Sequence, residues 1–251
     1  MSTLVIAHRG NSSAAPENTF AAFESAISAG ATLVEADVQM TADGHLVVIH
    51  DPTLDRTSDR TGDVRGLSLE EVQAADVSCP KTFGPRFSPQ RVPTLGELLA
   101  FLKGRARLML EIKKESSQEG SDRFERAIAA QIVESGVRVS PDMHTELAVL
   151  SFSTTILERM AVLLPDAPRG HLFYRDPEDK IFAAAKRASA RFVMPEKGQL
   201  SPGFMQRARA LDLGVATWVC DDPAEFLQLS TLGLLGVGTN CPVELLLAQS
   251  S

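Results

Sequence analysis

Residues 33–51, Leu33-Val34-Glu35-Ala36-Asp37-Val38-Gln39-Met40-Thr41-Ala42-Asp43-Gly44-His45-Leu46-Val47-Val48-Ile49-His50-Asp51, hold two apolar runs of strand type joined by a short polar link. The link contains Asp43-Gly44, a hairpin turn signal. A parallel crossover needs roughly a dozen residues or more, so the two strands are expected to be antiparallel. Folding about Ala42–Asp43 sets His50 roughly opposite Glu35. Residues i and i+2 of a strand share a face, so Glu35 and Asp37 project together with an imidazole beside them. Converging carboxylates repel and are costly to hold together unless a positive charge lies between them. A divalent metal is the simplest such charge.

Outward from this hairpin, strand-like and helix-like segments alternate almost throughout. Strands are expected at Leu4–His8, Leu108–Ile112, Leu147–Phe152, Gly170–Tyr174, Arg191–Met194, Val215–Val219 and Leu235–Thr239. Helical periodicity covers Asn18–Ala29, Asp122–Glu134, Thr155–Leu163, Pro177–Ser189, Gly203–Leu211 and Pro223–Leu232, and a further helix starts after a Thr94 N-cap. With the antiparallel run set aside, eight strands remain in a β-then-α order, the count of a (β/α)8 TIM barrel. A doubly wound open sheet is the competing architecture. Residues from about Pro52 to Arg91 break the rhythm and are expected to form a small capping insertion after the His50 strand. The whole chain, 1–251, then forms one domain.

The bulk properties narrow the function. Of 251 residues, 44% are apolar and 23% charged, ample for a core. A net charge of −7 argues against nucleic acid or an anionic membrane as the main partner. No apolar run approaches the ~20 residues of a membrane-spanning helix, and the start of the chain lacks a signal-peptide pattern. Cys79, Cys220 and Cys241 are scattered and odd in number, which points to a reducing, cytoplasmic setting.

Catalytic groups of such barrels sit at the C-terminal ends of strands. Those ends carry His8-Arg9-Gly10, Glu35 and Asp37, Glu111 with Lys113, Ser151-Phe152-Ser153, Glu196-Lys197 and Thr217-Trp218. Glu35, Asp37 and Glu111 form an all-oxygen ligand set suited to Mg²⁺ or Ca²⁺. The same Glu-x-Asp spacing also occurs on exposed edges with solvated charges, but His50 and the second strand-end Glu-x-Lys weigh against that reading. Arg9 offers a planar guanidinium for a phosphate, and Lys113 a second cation. His8 and His50 can exchange protons near neutral pH, whereas His45, His144 and His171 are expected on the surface or in loops. Together these groups describe phosphodiester hydrolysis.

In this order the residues resemble the glycerophosphodiester phosphodiesterase family of the bacterial, cytoplasmic type. The likeness runs through His8-Arg9-Gly10, Pro16-Glu17-Asn18-Thr19, Glu35-x-Asp37, Thr41-x-Asp43-Gly44, His50-Asp51, Leu54-x-Arg56-Thr57, Pro93-Thr94-Leu95 and Glu111-Ile112-Lys113. The resemblance implies one divalent metal on Glu35, Asp37 and Glu111, His8 and His50 as the acid–base pair, and Arg9 and Lys113 at the phosphate. It implies hydrolysis of a glycerophosphodiester to glycerol 3-phosphate and an alcohol. Two departures are visible. The family's aromatic-Thr-Val-Asn run stands here as Thr217-Trp218-Val219-Cys220. Trp218 is therefore one place late, which turns it to the opposite face unless a bulge restores it to the substrate pocket. The family's late Thr-Asp is here Thr239-Asn240. Neither change is expected to touch the metal carboxylates or the histidines.

Two alternatives stand beside this reading. One is lysophospholipase D-type action on lysophospholipids, which requires an apolar mouth. The other is a non-catalytic relative that binds metal and phosphate. A homo-oligomer is compatible with either.

Overall fold

The computed structural model describes residues 2–141 and 145–250. Its elements are β1 (Leu4–His8), α1 (Phe20–Ser28), β2 (Leu33–Met40), β3 (Leu46–Val48), α2 (Leu69–Gln73), α3 (Pro80–Phe83), α4 (Leu95–Leu102), β4 (Arg107–Ile112), α5 (Arg123–Ser135), β5 (Leu147–Ser151), α6 (Thr154–Leu163), β6 (Arg169–Phe173), α7 (Glu178–Arg187), β7 (Phe192–Pro195), α8 (Pro202–Ala210), β8 (Gly214–Thr217), α9 (Pro223–Ser230), β9 (Gly236–Thr239) and α10 (Pro242–Ser250). Eight parallel strands run in the order β1-β9-β8-β7-β6-β5-β4-β2, and a β1–β2 pairing closes the ring. This is the expected (β/α)8 barrel.

Every residue of β2 is buried, because the strand is covered on both faces. Val34, Ala36 and Val38 point outward and pack with Phe23, Leu95 and Ile128 under the helices. Leu33 points inward, to an interior layer with Ile6, Met109, Leu150, Leu172, Phe192 and Met194. Gly170 makes that layer possible, since a Cβ there would lie 2.3 Å from the Phe192 ring. Two residues beyond these inward positions, on the same face of each strand, stand His8, Glu35, Glu111, Phe152, Tyr174 and Glu196.

The antiparallel β3 sits where β1 leaves off. β1 accompanies β2 only as far as His8 opposite Glu35, and β3 then takes the same flank with Val48 opposite Val38. The other flank is held by β4, with Asp37 opposite Glu111. The ends of β1 and β3 therefore approach each other beside the acidic strand. The hairpin register differs by one residue from expectation: Met40 faces Leu46, which carries His50 toward Ala36 and not Glu35. The cause is the loop Thr41–His45, where Thr41 N donates to His45 O and Gly44 takes φ +90°. The ladder ends at Val48, and the chain bends at His50, so strand alternation no longer fixes that ring. Gln39 instead pins the bend, its Nε2 donating to His50 O at 2.9 Å and to Asp51 O.

The segment between β3 and α4 builds a small core of Leu54, Val64, Val72, Ala75, Val77 and Val92 against Val47 and Ile49. It thereby backs the outer side of β3. The Thr94 N-cap is present as a capping box with Glu97. One expectation changes, and one helix is added to those expected from the sequence. Residues after β9 form α10, which packs on α9 and β1. His171 is not on the surface: it lies buried on the outward face of β6, stacked on Phe173 at 4.1 Å and 2.8 Å from Thr154 Oγ1. Outward positions of a barrel strand face helices and not water. His144 lies outside the described residues.

Candidate active site

Glu35, Asp37 and Glu111 each offer an oxygen within 4.8 Å of the others, and all three side chains are buried. Their partners leave a gap aimed at the centre. Glu35 Oε2 accepts from the Arg9 backbone N at 3.0 Å, while Oε1 has no hydrogen-bond partner. Asp37 Oδ2 accepts from Asn18 Nδ2 at 2.9 Å, and Asp37 N donates back to Asn18 Oδ1 at 3.3 Å. Asp37 Oδ1 has only Lys113 Nζ at 3.4 Å, outside hydrogen-bonding geometry. Glu111 Oε1 accepts from Lys113 Nζ at 2.7 Å. Buried carboxylate oxygens without donors are rare and costly. Two of them beside a third carboxylate fit a hard divalent cation, which these three residues would hold.

The electrostatics agree. Burial, then the charges of Asp37 and Glu111, push the Glu35 carboxyl well above the usual range. Burial and Asp37 push Glu111 up to about 7. Asp37 goes the other way: despite its burial, Arg9 and Lys113 hold it below the ordinary carboxylate value. Fully ionised, the three carboxylates would carry more negative charge than Arg9 and Lys113 neutralise.

Arg9 sits at φ +56° just past β1, with Gly10 behind it at φ +82°. A Cβ on Gly10 would meet the Ala22 backbone at 2.5 Å, so the turn packs directly on α1. Arg9 Nη1 donates to Glu17 Oε1 at 2.9 Å, and its Nε lies 3.2 Å from Asp37 Oδ2. The latter is an ion pair that lacks hydrogen-bond alignment.

The two imidazoles have different partners. His8 Nδ1 lies 2.8 Å from Asn240 Oδ1. Asn240 is itself oriented, since its N and Nδ2 donate to Asp221 Oδ1 and Oδ2 at 2.7 and 2.9 Å. Its oxygen must then face His8, so His8 Nδ1 is the donor and Nε2 carries the lone pair. Burial, then the charge of Arg9, push His8 down to about 4, which keeps the ring neutral. The expectation that the Thr239-Asn240 change leaves the histidines untouched is therefore wrong. The contact joins residues 232 positions apart, which spacing alone does not reveal. His50 Nδ1 instead meets the Asp51 carboxylate at 2.6 Å.

Trp218 lies on the interior face, two residues beyond the inward-facing Ala216, so its late position does not turn it away. Its Nε1 donates to Met194 O at 2.9 Å. The ring meets Phe152 edge-on at 5.6 Å and lies 6.2 Å from Tyr174. Phe152 and Tyr174 are 40% and 56% exposed, so an aromatic rim faces solvent across the mouth from the carboxylates. The sequence gives no role to Asn18, Asn240, Asp221 or Tyr174. Asn18 lies within the Pro16–Thr19 motif, but nothing in that motif names its partner.

Carboxylates, cations and imidazoles gathered at the C-terminal strand ends define a barrel enzyme built for an anionic substrate. The sequence matches the glycerophosphoryl diester phosphodiesterase family over residues 8–244, and the chain belongs to that family. It is 31% identical over 246 residues to a glycerophosphodiester phosphodiesterase of Caldanaerobacter subterraneus, covering 98% of this chain and 97% of the relative. A phosphodiesterase of Oleispira antarctica, solved with its product sn-glycerol 3-phosphate, superposes with TM-score 0.86 at 25% identity, covering 100% and 98% of the two chains. A glycerophosphodiester phosphodiesterase of Agrobacterium tumefaciens gives 0.80 at 29% identity, covering 97% and 98%.

Proposed function

We propose that the chain hydrolyses glycerophosphodiesters to glycerol 3-phosphate and an alcohol. The observation that carries this reading is the buried meeting of Glu35, Asp37 and Glu111, two of them with an oxygen lacking a donor, beside Arg9, Lys113 and a neutral His8. A Mg²⁺ or Ca²⁺ ion held by the three carboxylates would polarise the phosphoryl oxygens. Arg9 and Lys113 balance charge on the phosphate. His8 Nε2 takes the proton of the attacking hydroxyl, from water or from a neighbouring hydroxyl of the substrate. As the ester P–O bond breaks, His50 gives a proton to the departing alkoxide, and the Asp51 carboxylate compensates the charge of its protonated ring. Direct attack by water gives both products at once. Attack by the substrate hydroxyl gives a cyclic phosphate that water then opens.

The aromatic rim would receive the alcohol end. Its ring faces suit a quaternary ammonium or an apolar arm. The rim also supports the second reading, action on lysophospholipids. Cys79, Cys220 and Cys241 are free, which supports a reducing, cytoplasmic setting and action on small soluble substrates; no helix among the described residues is long and apolar enough to cross a membrane. The test is a panel of glycerophosphocholine, glycerophosphoethanolamine, glycerophosphoglycerol and lysophosphatidylcholine, assayed with EDTA and again after metal add-back. Glycerol 3-phosphate from the first three, abolished by EDTA and restored by metal, is the expected result. Faster turnover of lysophosphatidylcholine favours the second reading, and turnover of none of them rejects both.

A further inference from the structure

Arg56 belongs to the segment after β3, outside the barrel, and its side chain is half exposed. Its guanidinium nevertheless meets four carboxylate oxygens. Nε and Nη2 donate to Asp51 Oδ2 and Oδ1 at 2.6 and 3.1 Å. Nη1 and Nη2 donate to Glu17 Oε2 and Oε1 at 2.7 and 2.8 Å. Each carboxylate is already engaged with the site. Asp51 Oδ1 holds His50 Nδ1, and Glu17 Oε1 holds Arg9 Nη1, whose Nε lies beside Asp37. The path His50–Asp51–Arg56–Glu17–Arg9–Asp37 is continuous. It joins the turn after β1, which holds Arg9 and Glu17, to Asp37 of β2 and to residues 50–56, which follow β3.

We infer that Arg56 is a positioning residue that fixes the proton-transfer side chain His50 and the phosphate-facing Arg9 through one planar fork. The inference rests on the phosphodiesterase reading above. Without Arg56, Asp51 would be left with His50 and Glu17 with Arg9 as partners, and the two carboxylates, no longer bridged, would repel each other and swing apart. The His50 ring needs such a fixed partner because the β3 ladder ends two residues before it. An exposed ion pair contributes little to folding. What this one supplies is direction: a guanidinium fixes two carboxylates in a plane, which a lysine ammonium cannot do. Burial acts against both anions, yet the hydrogen bonds from Arg56 hold Glu17 below its ordinary value and Asp51 down to about 2. Both therefore stay charged near neutral pH.

The test compares wild type, Arg56→Ala and Arg56→Lys as full chains. Three quantities are read: kcat and KM on glycerophosphocholine, calorimetric affinity for Mg²⁺ or Ca²⁺, and the His50 ring resonances in ¹⁵N-histidine-labelled protein. Arg56→Ala is expected to fold, to bind metal as wild type does, and to lose kcat by ~10–100-fold, the span seen when an orienting partner is removed. Its His50 Nδ1–H resonance should shift or vanish. Added guanidinium ion should restore part of the rate, and Arg56→Lys should not restore it. Should Arg56→Ala fail to fold, Arg56→Lys carries the same expectation of a low kcat with intact metal binding. Wild-type kcat in a folded Arg56→Ala, full activity in Arg56→Lys, or an equal loss of metal affinity each overturns the inference while leaving the reaction standing. If wild type turns over no glycerophosphodiester, the reaction fails. The His50 resonances then decide alone: unchanged in Arg56→Ala they overturn the positioning role, and shifted they uphold it.

Discussion

The two sides of the barrel mouth are built on opposite principles. Beside β1, β2, β3 and β4, polar groups crowd together at ion-pair distances, with the Glu35, Asp37 and Glu111 oxygens within 4.8 Å and cations wedged among them. Across the mouth, the ends of β5, β6 and β8 present Phe152, Tyr174 and Trp218, and among the described residues the cation over those rings is Arg175, 5.2 Å from the Tyr174 centroid. Strong fields on one side suit bond breaking at phosphorus, while rings on the other suit contact with a group that does not react. On the proposed function chemistry and selection are separable, and variants on each side should fail in different ways.

The largest expected effect lies on the charged side. His50→Ala or His8→Ala should lower kcat by about 10²–10⁴-fold, the span of a general acid or base. Steady-state kinetics at saturating metal checks this, and wild-type rates in both variants would remove the acid–base assignment. Next in size is Glu111→Gln, expected to weaken calorimetric metal affinity by at least ~10-fold with the fold intact. The pH dependence of metal binding sharpens the same point. Glu35 and Glu111 titrate above their ordinary range, Glu111 at about 7, so in metal-free protein they still hold protons below neutrality. Metal must displace those protons, so affinity should rise with pH toward about 7–8. The sign for stability is opposite in metal-free protein. A carboxyl whose pKa is raised in the folded state stabilises the fold while protonated, and that contribution is lost as pH rises through about 7. Thermal stability in EDTA should therefore fall as the pH rises from about 4.5 through about 7, and added metal should recover the loss. A flat EDTA profile would contradict the crowding of the carboxylates. The smallest effect belongs to the aromatic side. Trp218→Ala should lower kcat/KM on glycerophosphocholine, relative to glycerophosphoglycerol, by about 3–30-fold, as for a lost cation–π contact. An equal fall on both substrates would mean that the rim does not select.

The same division explains what could be learned from sequence. The barrel and its acidic ligands are legible because a strand repeats every two residues: Glu35 with Asp37, and Glu111 with Lys113, declare a shared face over short spacings. Contacts made by closing the ring are not legible in this way. Asn240 reaches His8 from the last strand, and the rim gathers rings from three strand ends with no local pattern. The hairpin register slipped by one residue because the loop conformation, and not the apolar pattern, sets it. His171 looked like a surface residue because an imidazole on an outward strand face carries no sign of the α6 hydroxyl that covers it.

Crystals soaked in Mn²⁺ and measured at its absorption edge test the central claim most directly. The account predicts one anomalous peak about 2.0–2.6 Å from oxygens of Glu35, Asp37 and Glu111, lost in Glu35→Gln. A folded protein with no peak between those side chains, or with undiminished turnover in EDTA, would contradict it.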